Sequence, residues 1–570
     1  MQAISLRVAA KRSAMVRKTV DILRYQVRQR SGVGIQESAG QAQVVLDVRP
    51  GIGTEGFAIE DGPAGAVAIV GSGERGLLYG VGKFLRTSRF EEGRFAPGGW
   101  RGVSVPTRPV RGIYFASHFH NFYHDAPLER VQRYVEELAL WGCNALAVWF
   151  DMHHFRGLAD PAAQAMLARL RAILQTANSV GIAGALTTLA NEGYDDSPEF
   201  LRAAWTAGHD GYRAPPGGHY HREVCPSTPG GLDYILRTRA EMLDAFVDLD
   251  VRYVWIWPYD QGGCTCSQCT PWGANGFLKS ARPYAALVRR IMPQAKIVLS
   301  TWYFDHFIQD EWEAFARAVG TGKPDYADYL MVDDSGDVFP QYPLQHGVPG
   351  GLAMLNFSEI SMYRMHPWGG YGANPLPRHI QVIWDSAGAH LAGGFPYSEG
   401  IFEDLNKAIS LQHYWGDRNA MDTAREYLAY EASPEGAGEA LQAVEIMEQQ
   451  HERHTMPPTE GTAEQIRQLV YPPHGGPAKV PLFRLPDLSR ASECQALIEA
   501  AEAKMTPQAR KGWRWRMLNL RARIDVGLYR TGGRSDEQLD ALFTEVEAIS
   551  FVQNGSFSVS APSRRLFVHP

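Results

Sequence analysis

Between residue 111 and about residue 400, short apolar runs alternate with helical stretches eight times over, and this recurrence restricts the fold more than any other property of the chain. The runs are 112–116, 145–150, 183–189, 253–257, 297–302, 329–332, 352–357 and 391–395, with amphipathic stretches such as 128–141, 232–247 and 281–291 between them. Strands that are apolar throughout belong to parallel sheets covered on both faces, and parallel neighbours need crossover helices. Eight such units within roughly 300 residues predict an α/β protein built on a (β/α)8 barrel; a doubly wound open sheet is the competing arrangement.

The remainder of the chain divides around the barrel. Residues 1–105 read as a small α/β domain with strands at 43–48 and 66–70 and a helix over 76–85. The barrel is expected over 106–412. A helical region follows over 413–570, with helices at 420–432, 438–451, 491–504, 509–529 and 536–549 and a Pro/Gly-rich connector at 457–486. Gly71-Ser-Gly-Glu-Arg-Gly76 superficially resembles a nucleotide loop, but it lacks the Gly-Lys-Ser/Thr ending and a ribose-binding acid in βαβ context. A turn into a packed helix is the expected reading.

Composition narrows function. A net charge of -6 and a pI near 6.3 argue against nucleic-acid or membrane-surface partners. No apolar run approaches the length of a membrane span. The basic first 30 residues contain no apolar signal core, and Val16, Val20, Leu23 and Val27 fall on one helical face, so a folded helix is expected there and the cytoplasm is the expected location. The 14 Trp and 24 Tyr would supply platforms for the apolar faces of sugar rings, although a large core also consumes aromatics.

In a barrel of this kind, residues just after each strand share one pocket. Those positions hold His118, His120 and His124 (strand 1), Asp151, His153 and His154 (strand 2), Asn191 and Glu192 (strand 3), and Trp257, Tyr259 and Asp260 (strand 4). They continue with Trp302, Tyr303 and Asp305 (strand 5), Asp333, Asp334 and Asp337 (strand 6), Glu359 (strand 7), and Tyr397 and Glu399 (strand 8). Carboxylates flanked by aromatics suit glycoside hydrolysis, in which one acid protonates the leaving oxygen and another activates water or attacks the anomeric carbon. The expected substrate-contacting set is His118, His120, Asp151, Glu192, Trp257, Tyr259, Trp302, Tyr303, Asp333, Asp334, Tyr397 and Glu399. Two other readings compete. His118-x-His120 is an entry motif for a metal-dependent barrel hydrolase, though strand 4 offers no Lys, strand 6 no His and strand 8 a Glu in place of Asp. A catalytically inactive carbohydrate-binding protein would retain the same pocket.

Two longer segments are more distinctive: Gly73-Glu-Arg-Gly-Leu-Leu-Tyr-Gly80 and Tyr134-Val-Glu-Glu-Leu-Ala-Leu-Trp-Gly-Cys-Asn-Ala-Leu146. The first resembles a segment of the N-terminal domain, and the second the helix and second barrel strand, of the α-glucuronidases of glycoside hydrolase family 67. Tyr259-Asp-Gln-Gly262 occupies the place of the segment carrying the general acid, and 295–305 resembles the fifth strand. The resemblance implies Asp260 as acid, with Asp337 (Asp333 and Asp334 competing) and Glu359 as the base pair, in a single displacement with inversion. Burial among Trp255, Trp257 and Tyr259 would raise the pKa of the acid as that role requires. Asp260 stands where the family has Glu, and the family has no cysteine cluster at this point. The expected substrate is an oligosaccharide, attacked from its end and bearing a uronic acid or a related sugar, although the strand ends offer few cations for a uronate beyond Arg156 and Arg364.

Cys264-x-Cys266-x-x-Cys269 places three soft ligands in one loop, and Cys225 is the natural fourth. A closed set of four thiolates predicts a structural zinc with no open coordination position; free thiols or a redox pair are the alternative. Cys143 and Cys494 are expected in the core, and no organic cofactor is expected. Homo-oligomerisation is left open.

Overall fold

The structure is a computed structural model that describes residues 3–117, 121–204, 222–258, 263–305, 309–334, 338–361, 368, 372–452, 487–532 and 536–551. Its centre is the predicted (β/α)8 barrel. The strands are β1 (Val110–Phe115), β2 (Ala145–Trp149), β3 (Ala183–Leu189), β4 (Val251–Trp257), β5 (Lys296–Ser300), β6 (Tyr329–Asp334), β7 (Ala353–Ser358) and β8 (Leu391–Gly394). Each pairs in parallel with the next, and β8 returns to β1 through Gly393 and Gly394. A two-residue extension, Tyr397–Ser398, continues the closure against Tyr114 and Phe115.

Alternation along the strands fills the interior. Tyr114, Ala145, Ala147, Ala185, Trp255, Val298, Met331, Leu355 and Phe395 form one buried cluster inside the barrel. Small residues on one side make room for rings from the other: a Cβ on Gly112 would lie 2.1 Å from the Phe395 ring, which itself meets Trp255 at 4.7 Å between centroids. The barrel is therefore a packed core with a floor, and any pocket begins above Trp257 and Phe357.

Asn144 explains the Gly-Cys-Asn turn ahead of β2. Its side chain accepts from the Arg111 backbone N–H (2.8 Å) and donates to Pro109 O (2.9 Å), which ties β2 to β1, while Gly142 takes a left-handed φ of 95°. β5 ends at Ser300, earlier than the expected 302, because Tyr303 adopts a left-handed φ of 61° and turns the chain out of the sheet.

The N-terminal domain is a six-stranded mixed sheet with helices Ala14–Ser31 and Glu74–Thr87 packed together. Val16, Val20, Leu23 and Val27 are buried as predicted. Ile4–Val8, Ile35–Glu37, Phe57–Asp61 and Gly102–Ser104 are strands absent from the sequence expectation. The Gly71–Gly76 turn is a packing device. A Cβ on Gly71 would lie 2.1 Å from Leu77 N, and one on Gly76 would lie 2.2 Å from Gly56 O.

Helix Asp404–Gly416 packs on β1 and β8 and so runs beyond the expected barrel limit at residue 412. Helices Ala420–Glu431, Ala437–Glu452, Ala491–Glu502, Trp513–Thr531 and Glu537–Ser550 follow; the helix expected over 509–529 is broken, with Pro507–Arg510 separate. Buried charges join the parts. Glu426 meets Lys83 (2.7 Å) and Arg86 (2.8 Å) of the N-terminal domain as well as Arg418 (2.6 Å), and Arg514 meets Asp404 (2.6 Å) and Glu137 (2.8 Å). No helix among the described residues is long and apolar enough to cross a membrane.

Candidate active site

The C-terminal ends of the strands gather two groups of acids over the aromatic floor. On the β7–β8 side, Glu359 follows β7 and is buried, 7% exposed. Its Oε1 accepts from the Ser361 N–H at 2.8 Å, and the Ser361 hydroxyl in turn accepts from the Glu399 N–H at 3.4 Å. The Tyr397 hydroxyl donates to Glu399 Oε1 at 2.5 Å. Burial, followed by the charges of Glu399 and Glu359, holds the Tyr397 phenol protonated far above its ordinary range, so these two carboxylates and the phenol form one cluster.

Across the barrel, at β2–β3, Glu192 is almost wholly buried. His153 Nδ1 lies 2.7 Å from Glu192 Oε1, the His153 backbone N–H donates to the same oxygen at 3.2 Å, and Trp149 Nε1 donates to Oε2 at 3.3 Å. Asp151, also buried, is hydrogen-bonded to Nδ1 of His154 at the rim. Burial opposes protonation of His154, but the contact with Asp151 outweighs it and raises the imidazole pKa.

The floor between the two groups is aromatic. Trp257 meets Phe357 at 4.7 Å (edge-on) and Trp302 at 5.4 Å, while Trp302 lies 4.5 Å from Tyr303. Trp302 Nε1–H is buried without an acceptor among the described residues, a donor suited to a ligand hydroxyl. Left-handed φ values at Tyr303 (61°) and Asp305 (63°) hold this loop in a conformation that non-glycine residues rarely adopt. Asp305 spends its carboxylate on the loop itself, accepting from the N–H groups of Glu311 (2.6 Å) and Trp312 (3.2 Å).

Asp333 and Asp334 separate. Asp333 pairs in register with inward-facing Phe357, and Asp334 with Ser358. Asp334 Oδ2 accepts from Ser358 Oγ (2.8 Å) and Asn356 Nδ2 (3.0 Å), and Asn356 Oδ1 accepts from Tyr414 of helix Asp404–Gly416 (2.6 Å). This places Asp334 between the sheet and its covering helix. Burial, with a smaller contribution from Asp333, raises its pKa to about 7 against the opposing hydrogen bonds.

The structure thus brings together Asp151, Glu192, Trp257, Trp302, Tyr303, Asp333, Glu359, Tyr397 and Glu399 at one end of the barrel. His118, His120, Tyr259, Asp260 and Asp337 lie outside the described residues. Phe357 and Ser361 are pocket residues that the sequence reading passed over, although Phe357 is signalled by sharing strand parity with Glu359. The four cysteines also meet: Cys225, Cys264, Cys266 and Cys269 present sulfur atoms within 4.8 Å of one another. The opposite end of the barrel carries a cleft of about 1280 Å³ against the N-terminal domain, but its charges are largely paired, as in Arg75–Glu55 at 2.6 Å and Arg289–Asp328 at 3.6 Å.

The sequence matches no protein-family profile and no curated protein. Solved structures share the fold. A family 115 4-O-methyl-α-glucuronidase with specificity for decorated arabinogalactans has a TM-score of 0.61 at 10% identity, covering 99% of this chain and 78% of that one. A family 89 glycoside hydrolase from Clostridium perfringens, in complex with its substrate GlcNAc-α-1,4-galactose, has a TM-score of 0.59 at 13% identity, covering 94% of this chain and 65% of the other. A Flavobacterium johnsoniae chitobiase has a TM-score of 0.53 at 12% identity, covering 95% and 92% respectively. At such identities the likeness is one of fold.

Proposed function

We propose that this protein is a glycoside hydrolase that removes a terminal sugar from an oligosaccharide. The observation that carries the reading is the pair of buried acid clusters, Glu359–Ser361–Glu399–Tyr397 and His153–Glu192 with Asp151, set on opposite sides of an aromatic floor at the C-terminal end of the barrel. Aromatic rings accept the apolar face of a pyranose, and carboxylates on both sides can grip its hydroxyls and carry protons at the anomeric centre. The named structures of the same fold act on glycosides, which agrees with this chemistry.

In this mechanism Glu359 activates the attacking water, with Asp337 as its sequence-derived partner, and Asp260 donates a proton to the glycosidic oxygen. Both displacement partners have their support in the sequence resemblance. Inversion requires about 6.5–9.5 Å between acid and base carboxyls, against about 5 Å for retention. Asp151, Glu192, Asp333 and Glu399 hold sugar hydroxyls, and Trp302 Nε1–H adds a donor. A uronic acid at the cleaved position is the narrower form of the proposal, with His154 and the exposed Arg156, both following β2, as its cationic partners; Arg364 lies outside the described residues.

A screen of aryl glycosides and uronides, with the product anomer followed by proton NMR, tests the activity and its stereochemistry together. Hydrolysis with an inverted anomer is expected; a retained anomer would reject the single-displacement assignment. One observation favours a second reading: Asp151, His153 and His154 present ligand atoms within 4.8 Å of one another, a spacing that could hold a metal. Loss of activity on chelation, with Tm unchanged, would favour that metal-dependent hydrolase.

A further inference from the structure

We infer that Cys225, Cys264, Cys266 and Cys269 form a structural zinc site that fixes the β4 loop. The four are unbonded thiols, three buried and one, Cys266, partly exposed. Cys225 Sγ lies 3.9 Å from both Cys266 Sγ and Cys269 Sγ. A tetrahedral metal with bonds of about 2.3 Å sets its sulfur ligands about 3.8 Å apart, so the separations of Cys225 from Cys266 and Cys269 match the edge of a zinc tetrahedron, and the remaining sulfur pairs lie within 4.8 Å. The local backbone suits ligation as well. Cys266 and Cys269 are joined by a tight turn in which the N–H groups of Cys269 (2.9 Å) and Thr270 (3.1 Å) donate to Cys266 O. Four thiolates around a dication leave two excess negative charges. Lys279 approaches from the side, donating to Ser227 Oγ (3.0 Å), and that oxygen lies 3.2 Å from Cys269 Sγ.

Four thiolates close the coordination sphere, so the zinc holds structure and activates no water. What it holds follows from the neighbours. Cys225 ends the return of the β3 loop, next to Val224, whose carbonyl accepts from Asn191 Nδ2 at 3.2 Å; the same amide donates to Gly263 O at 3.1 Å, beside Cys264. Trp272, just beyond Cys269, donates from Nε1 to Pro258 O at 2.7 Å. Pro258 and Gly263 are the two ends of the segment that contains Tyr259 and Asp260, and both are anchored to the cysteine knot. The metal therefore acts as a positioning device for the two described ends, Pro258 and Gly263, a role in catalysis that rests on the hydrolase reading, whereas the metal site itself does not.

The test is metal analysis of the wild-type protein purified under reducing conditions without chelator, together with a Cys225→Ser/Cys266→Ser variant. One zinc per chain is expected, released when the thiols are modified by a mercurial, and cobalt substitution should give tetrahedral d–d and thiolate charge-transfer bands. The variant should lose the zinc and show a lower Tm. Wild-type protein that holds no zinc and takes up none on titration would overturn the site, as would stoichiometric iron or a pair of disulfides in its place. If no glycoside is hydrolysed, metal content and Tm still decide the site. If hydrolysis is seen, an unchanged kcat/KM in the zinc-free variant would overturn the positioning role alone.

Discussion

Asp333 and Asp334 show how one step along a strand separates a pocket residue from a core residue. Asp334, held by Asn356 and Ser358 with no cation paired to it among the described residues, keeps its proton to about pH 7, whereas an unfolded aspartate loses it near pH 4. Unfolding therefore releases a proton between those values. The stability contributed by this site is complete below about pH 4 and declines until about pH 7, by up to about 4 kcal/mol. Asp334→Asn keeps an oxygen for both donors and removes the titration. Its Tm relative to wild type should rise between pH 5 and pH 7.5, measured by differential scanning fluorimetry; a constant difference would show that Asp334 is ionised in the fold. At the pocket, Trp302→Ala should raise KM about tenfold, equivalent to about 1.4 kcal/mol, while changing kcat less, because a floor contact serves ground state and transition state alike. An equal fall in kcat with unchanged KM would place Trp302 in the chemistry. The acids after the strands were legible because parallel-barrel geometry sends strand ends to one place. The outward turn of Asp334 was not, since strand parity is known only once the register with β7 is fixed.

Among the elements, helix Glu74–Thr87 and helix Ala420–Glu431 depend on one carboxylate. Burial opposes ionisation of Glu426, but Arg86, Lys83 and Arg418 outweigh it and hold its pKa far below the ordinary value. Its contribution to stability is present above about pH 4.5 and is lost as pH falls through the depressed value. Glu426→Ala leaves Arg86 buried and unpaired, at a cost of about 3–5 kcal/mol. Urea titration of wild type and variant at pH 7 should show that loss, and a change below about 1 kcal/mol would mean that the cluster is solvated. The barrel strands could be read from the sequence because apolar runs of that length have few other uses. The N-terminal strands Ile4–Val8 and Phe57–Asp61 were missed because Arg7, Glu60 and Asp61 interrupt their apolar pattern and the nearby basic residues read as helix. The last two helices shifted because Gly512 and the left-handed Gly532 and Phe551, rather than hydrophobic periodicity, set their boundaries.

For the molecule as a whole, the same chain builds a closed, aromatic-filled barrel, an N-terminal sheet against its side and a helical region fastened by Arg514 and Glu426. The barrel was legible in full as a fold, and its likeness to solved glycosidase structures extends over nearly the whole chain. Of the expected site residues, Asp151, Glu192, Trp257, Trp302, Tyr303, Asp333, Glu359, Tyr397 and Glu399 stand at one end of the barrel, and His118, His120, Tyr259, Asp260 and Asp337 lie outside the described residues. The internal wiring of the site was not legible, because the bonds from Ser361 to Glu359, from Tyr397 to Glu399 and from His153 to Glu192 depend on side-chain directions that a sequence does not encode. The central claim is that this wiring serves glycosidic bond hydrolysis through Glu359. The most direct measurement is turnover of the best aryl glycoside by wild type and by Glu359→Gln under identical conditions. The account predicts that wild type hydrolyses it and that the variant, with its fold intact by circular dichroism, loses about 10²–10⁴-fold in kcat. Equal turnover by the two proteins, or none by wild type across the aryl glycoside and uronide series, would contradict it.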